Sequence, residues 1–270
     1  MRCAFTLSLL LASCGGQETG SANIKGPDEA PASKPPVVPA KASEPRAKPF
    51  SIEEENDLYG FSYSWPGSIP PKLAGRFQAD MEKMKAELVE GAKADRDERA
   101  RNGFDYHPHE ASRSYEMAGD SGRLLSLSST SYGFTGGAHG STGSGAILWD
   151  KALDREIAIA DLLRTGTSWT GAIRQPFCVL LDREREKRRQ EPVRKDDMFG
   201  NCPAYDEVTV ILQDSDGNRR FDHIVVTADQ YVAGPYAEGP YEISLPITAA
   251  MIDRLKPEYR RSFEPRPPVK

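Results

Sequence analysis

The sequence predicts an α+β fold, with two lobes of antiparallel sheet packed against amphipathic helices. Three observations predict it. Apolar residues recur at helical steps in two long segments, near 71–102 and 168–191. Short alternating runs bounded by Gly, Asp, Asn and Ser flank both segments. The order strands, helix, strands, helix, strands lacks the regular alternation of a parallel sheet. The lobes are expected over residues 50–150 and 151–256, with segments 1–13 and 14–49 before them and a tail, 257–270, after them.

The elements follow in order. Residues 58–65, "LYGFSYSW", alternate aromatic and small side chains and read as a strand. Leu73, Phe77, Met81, Met84 and Leu88 then recur at steps of three and four, one apolar stripe on a helix from Pro71 to Asn102. Two alternating runs around "GDSG" (119–122) form a hairpin within a β-meander over 104–149. "DKALDREIAI" makes a tight turn after it, and "IADLL" resumes helix. Trp169, Ile173, Phe177, Leu180 and Leu181 give the second helical stripe, where Pro176 is expected to kink or restart the helix. Two strands around "DSDGN", a closing strand through 241–247 and a short helix capped by Thr248 complete the fold. The Pro-rich tail is expected to fray.

The chain has 270 residues and a net charge of -5, with pI near 5.6 and mean hydropathy -0.57. That balance argues against nucleic acid, because phosphate contacts need a basic face. The basic run "REREKRR" at 183–189 is interleaved with acids and reads as a solvated helix face.

Arg2, the apolar "AFTLSLLLA" and then "LASC" at 11–14 resemble a bacterial lipoprotein signal with its lipobox. The resemblance implies a signal peptide over 1–13, cleavage before Cys14 and a lipid on Cys14. Gly15 rather than Asp implies the periplasmic face of the outer membrane in a Gram-negative cell. A plain secretory signal with an incidental Cys14 is the alternative. Residues 14–49 form a Pro/Ala-rich linker without an aromatic residue before Phe50. Extended at about 3.1 Å per residue, it would hold the folded part up to ~100 Å from the membrane.

Cys3 leaves with the signal, so Cys178 and Cys202 remain. In an oxidising compartment they are expected to pair, which contributes roughly 3 kcal/mol through chain entropy. Two free buried cysteines are the alternative. A metal site there lacks a CxxC or CxxH partner.

Residues 131–163, "SYGFTGGAHGSTGSGAILWDKALDREIAIADLL", resemble the Y-T-G-G-A-H-G segment, strand and turn of the paired extracytoplasmic domains of the RsiV/PdaC kind. "VAGPYAEGPYEISLPI" at 232–247 resembles their closing strand. The resemblance spans roughly 56–256, and those domains are of unknown function. In that family the pair stands alone in lipoproteins, accompanies a deacetylase domain, or forms the outer part of a lysozyme-sensing anti-sigma factor. The sequence carries neither the catalytic motifs of the deacetylase domain nor an internal transmembrane segment.

His139 is the catalytic candidate, set among glycines, but no Gly-x-Ser-x-Gly elbow accompanies it. A structural histidine that bonds backbone and fixes the turn between the lobes explains it as well. Tyr231, Tyr236 and Tyr241 recur every five residues; with His139, Tyr236 and Tyr241 are the candidate ligand-binding residues. "YHPHE" offers His107, His109 and Glu110 as metal ligands, but Pro108 intervenes and no third ligand is evident. Asp214, Asp216 and Asn218 resemble positions 1, 3 and 5 of a calcium loop, yet Arg219 replaces the required Gly and Val225 the final Glu. No metal and no cofactor is therefore expected. The expected function is a lipid-anchored, non-enzymatic binding or sensing protein for peptidoglycan glycan or a protein such as lysozyme. The alternative is a cell-wall glycan hydrolase or deacetylase that uses His139.

Overall fold

The structure is a computed structural model in which residues 48–267 are described. The expectations for the signal, Cys14 and most of the linker lie outside the described residues. The described residues form one compact unit. It contains a six-stranded sheet in chain order, β1 (Phe50–Glu55), β2 (Tyr59–Trp65), β3 (His109–Asp120), β4 (Leu124–Phe134), β5 (Ser141–Asp150) and β6 (Arg155–Glu156). A three-stranded sheet follows, β7 (Thr209–Gln213), β8 (His223–Ala228) and β9 (Tyr241–Pro246). The helices are α1 (Pro71–Asn102), α2 (Thr170–Arg189) and α3 (Ala249–Ile252). The α+β expectation holds.

Helix α1 starts with Pro71 at its first turn, where a missing N–H costs no helical bond. It ends at Gly103, whose φ of 72° supplies the left-handed cap. Leu73, Phe77 and Met81 are buried against the first sheet, and Met84 and Leu88 pack at the margin of that core. One pairing departs from the antiparallel expectation. β2 and β3 are parallel, with Tyr59 opposite His109. α1 is the reason: a 32-residue crossover helix returns the chain to the end where β2 began.

Alternation along β4 and β5 splits the core in two. Leu125, Leu127, Ile147 and Trp149 face the α1 side. Leu124 and Leu148 face the second core, with Phe177, Leu181, Ile224 and Tyr241. The first sheet also runs past residue 150, since β6 adds to β5.

Helix α2 buries Ile173, Phe177 and Leu181 and is continuous through Pro176. Pro176 is its seventh residue, so only the Ala172 carbonyl loses a helical donor there. Cys178 and Cys202 are joined, with Cα atoms 5.5 Å apart. Thr248 caps α3 by accepting from the Met251 N–H. Residues 257–267 do not fray: Tyr259, Ser262 and Phe263 are buried, and Phe263 bridges Phe221. Two aromatic rings in that segment provide the apolar area that its prolines obscure in the sequence.

Candidate functional site

The sequence of the β4–β5 connection, "TGGAHG", turns the chain and lifts His139 out of the sheet. Gly140 lets the Tyr132 ring lie close against the backbone. A Cβ at that position would lie 2.2–2.4 Å from atoms of the Tyr132 ring. The His139 Nδ1–H donates to the Gly140 carbonyl (2.8 Å), which leaves Nε2 facing the Tyr231 hydroxyl at 3.3 Å. The imidazole stacks on Tyr236, centroids 4.0 Å apart and planes at 24°. Tyr231 lies 5.9 Å from Tyr236 and 57% exposed, completing a three-ring ledge.

The loop that carries the tyrosines, 229–240, is fastened at both ends. Asp229 accepts from the Ser144 N–H (2.9 Å) and hydroxyl (2.6 Å) on β5. Tyr231 takes a φ of 67°, and its N–H donates to the Gly234 carbonyl. Behind the loop, Arg185 of α2 is fully buried. It donates to the carbonyls of Ala233 (2.8 Å) and Asn201 (3.1 Å) and to the Asp182 carboxylate (3.1 Å). Burial pulls its guanidinium below the ordinary arginine value. Arg189 donates to both Glu238 oxygens, and Arg188 to the carbonyls of Glu238 and Pro240. Burial works against ionisation of Glu238, but Arg189 and the Tyr241 hydroxyl hold its carboxyl below the usual range.

Beside the ledge, the sheet face opposite α1 is open. Two cross-strand rows run over it: Glu55, Gly60, Glu110, Phe134, and Glu53, Ser62, Ser112, Tyr132. Gly60 and Ser62 are small, so the rows dip in the middle. The result is a groove of about 540 Å³ with aromatic and carboxylate walls, rimmed by His107. Tyr132, the ring under Gly140, is part of its wall, so groove and ledge are contiguous.

The other sequence candidates fall elsewhere. Tyr241 does not join the ledge. It is fully buried, its hydroxyl donates to Glu238, and burial first, then that bond, pushes its pKa up to about 12. His107 and His109 part company: His107 reaches the groove, while His109 is buried and pairs with Asp95 at 3.0 Å. Asp214, Asp216 and Asn218 lie in the turn between β7 and β8. Asp214 accepts from the N–H groups of Gly217, Asn218 and Arg219, and Asp216 pairs with Arg266. Asp216, Asp222 and Glu264 do approach one another, but the Arg266 guanidinium contacts all three. Among the described residues, no carboxylate lies within 4.0 Å of His139, whereas His109 and His223 each have one. None of the helices in the described part is long and apolar enough to cross a membrane.

Sequence reasoning missed the groove and Arg185. The groove's signal is the pairing of small residues on β2 with glutamates on β1, visible only once the register is known. Arg185 continues the Ile173, Phe177, Leu181 spacing of four, but its charge hides it in a run that reads as a solvated face.

Residues 52–142 match the family model described as "Deacetylase PdaC". Among solved structures, a DUF3298 family protein from Pseudomonas aeruginosa PAO1 matches with TM-score 0.52 and 17% identity, over 82% of this chain and 97% of its own. A DUF3298 family member from Bacteroides fragilis matches with TM-score 0.49 and 14% identity, over 79% and 96%. At these identities the first likeness speaks to fold. No curated protein matches the chain significantly.

Proposed function

We propose, from the premise that the chain carries a PdaC-type domain over residues 52–142, that it is a non-enzymatic glycan-binding protein of the cell envelope. The ledge of His139, Tyr231 and Tyr236 is the observation that carries this reading. A sugar ring has an apolar C–H face and a hydroxyl rim. Stacked, partly exposed aromatic rings take the first, and tyrosine hydroxyls and the serines of the open sheet face take the second. The Arg185, Arg188 and Arg189 contacts behind the loop hold the rings in place before ligand arrives, which lowers the ordering cost of binding. A lipid on Cys14 and the linker over 14–49 would place this surface against peptidoglycan from the periplasmic face of the outer membrane.

Binding of muropeptides or sacculi to the full-length chain in detergent tests the reading. Tyr236→Ala is expected to weaken binding at least tenfold with an unchanged melting temperature. Unchanged affinity in that variant refutes it. Capture of lysozyme with no glycan binding would replace the glycan by a protein partner on the same surface.

The family model's description favours a second reading, a deacetylase or hydrolase that uses His139. A catalytic histidine needs a group to orient it and a substrate atom to deprotonate. His139 is oriented here by a backbone carbonyl and faces a tyrosine hydroxyl. Release of acetate or reducing ends from acetylated glycan, abolished by His139→Ala, would establish this second reading.

A further inference from the structure

We infer that the groove beside the ledge selects amino sugars with a free, protonated amine over their N-acetylated counterparts. The inference rests on the glycan-binding reading and names the class of glycan. Three features of the groove lead to it.

The first is size and shape. About 540 Å³ of concave space suits one or two sugar rings. A flat protein partner needs a broad, even patch of roughly 800 Å² instead. The dip is built by Gly60, between Glu55 and Glu110, and by Ser62 and Ser112, between Glu53 and Tyr132. The second is continuity. Tyr132 and Phe134 form the aromatic wall, and Tyr132 also underlies Gly140 next to His139. A chain of linked rings that stacks on the ledge therefore continues into the groove.

The third is the charge of the lining. Glu53, Glu55 and Glu110 are exposed, and none has a cationic partner within 4.0 Å among the described residues. Their neighbour Glu54 points to the other face, where Lys85 and Tyr59 hold it. Glu53 and Glu55 are two residues apart on one strand, roughly 7 Å, and Glu55 and Glu110 flank Gly60 two strands apart, roughly 10 Å. An ammonium group seated above Gly60 would meet carboxylates from two sides. An acetamido group there would carry no charge to meet those carboxylates and would forgo that attraction.

The test compares β-1,4-linked tetramers of glucosamine and of N-acetylglucosamine, titrated calorimetrically into the full-length chain in detergent. The glucosamine tetramer is expected to bind at least tenfold more tightly at low salt. In the Glu53→Gln/Glu55→Gln/Glu110→Gln variant that preference is expected to vanish, with an unchanged circular-dichroism melting curve. These side chains are exposed, so the variant is expected to fold. His139→Ala is expected to weaken both tetramers alike. Equal binding of the two tetramers, tighter binding of the acetylated one, or a preference that survives the triple substitution would each overturn the inference and leave the glycan reading standing. If neither tetramer binds while a basic protein binds through the same three glutamates, both the inference and the glycan reading fall.

Discussion

The two faces of the six-stranded sheet are made by alternate residues of the same strands, yet they differ in almost every physical respect. On the α1 side, Phe61, Tyr63 and Trp65 of β2 stack with Phe50, Phe77 and Tyr115 into a continuous aromatic core. A polar pair lies there too: the Tyr63 hydroxyl donates to Asp80, which also holds Arg113. On the other side the same strands present Gly60, Ser62, Ser112 and three glutamates. The covered face carries stability. The open face carries accessible chemistry and borrows its rigidity from what lies behind it. The difference teaches that the period of two in a strand does more than separate inside from outside. Over β1 to β3 it assigns folding to one set of residues and, under the glycan-binding proposal, recognition to the other.

The largest effect expected to sharpen this contrast is on the covered face. Phe77→Ala removes a fully buried ring stacked 4.0 Å from Tyr115 and should cost about 3–5 kcal/mol. Urea unfolding measures it, and a loss below about 1 kcal/mol would break the comparison. Next is the support behind the ledge. Arg185→Ala takes a donor from the buried Ala233 carbonyl, from the Asn201 carbonyl and from Asp182, and should cost about 3 kcal/mol. It should weaken glycan binding as well, which a merely stabilising residue would not do once samples are kept far below their melting temperature.

Acid sensitivity gives a third comparison. Asp150, at the end of β5, is fully buried. Burial opposes its charge, but Arg123, Tyr259 and two backbone N–H groups overcome that and hold its carboxyl below the usual range. Its folded pKa is depressed, so its stabilisation is complete above the unfolded value near ~4 and is lost as pH falls below it. The melting temperature should drop from pH 5 to pH 3, and Asp150→Asn should flatten that limb while lowering the whole curve. The smallest effect has the opposite sign. Gly60→Ala meets only Glu110 Cγ at 3.5 Å, and at a glycine without positive φ it should stabilise by about 0.5 kcal/mol. The same methyl raises the floor of the groove and should weaken binding of the glucosamine tetramer.

Much of the covered face is legible in the sequence, because burial against one partner imposes a period. Leu73, Phe77 and Met81 mark α1, and the "GDSG" turn marks the hairpin between β3 and β4. Strand direction has no such signature: the parallel pairing of β2 and β3 follows only when the 32-residue helix between them is treated as a crossover. The ledge was half legible. The Gly-rich loop and the tyrosine series point to His139 and Tyr236, but equal spacing puts Tyr241 on the same footing. In the fold Tyr241 begins β9 and turns inward. The groove was not legible, because its residues come from four strands whose register no local pattern encodes.

Strand β5 has a further consequence. Ile147 and Trp149 belong to one core and Leu148 to the other, so β5, like β4 beside it, is a party wall of both lobes. Neither lobe can melt without exposing a flank of its neighbour, so the chain from Phe50 to Phe263 should unfold as one thermodynamic unit. The same wall forbids a hinge. Ser144, which anchors the tyrosine loop, and Tyr132, which lines the groove, sit on adjacent strands of it. The spacing between ledge and groove is thereby a fixed length, and under the glycan-binding proposal the protein would meet its ligand as a ruler does, by gauging a repeat instead of closing around it.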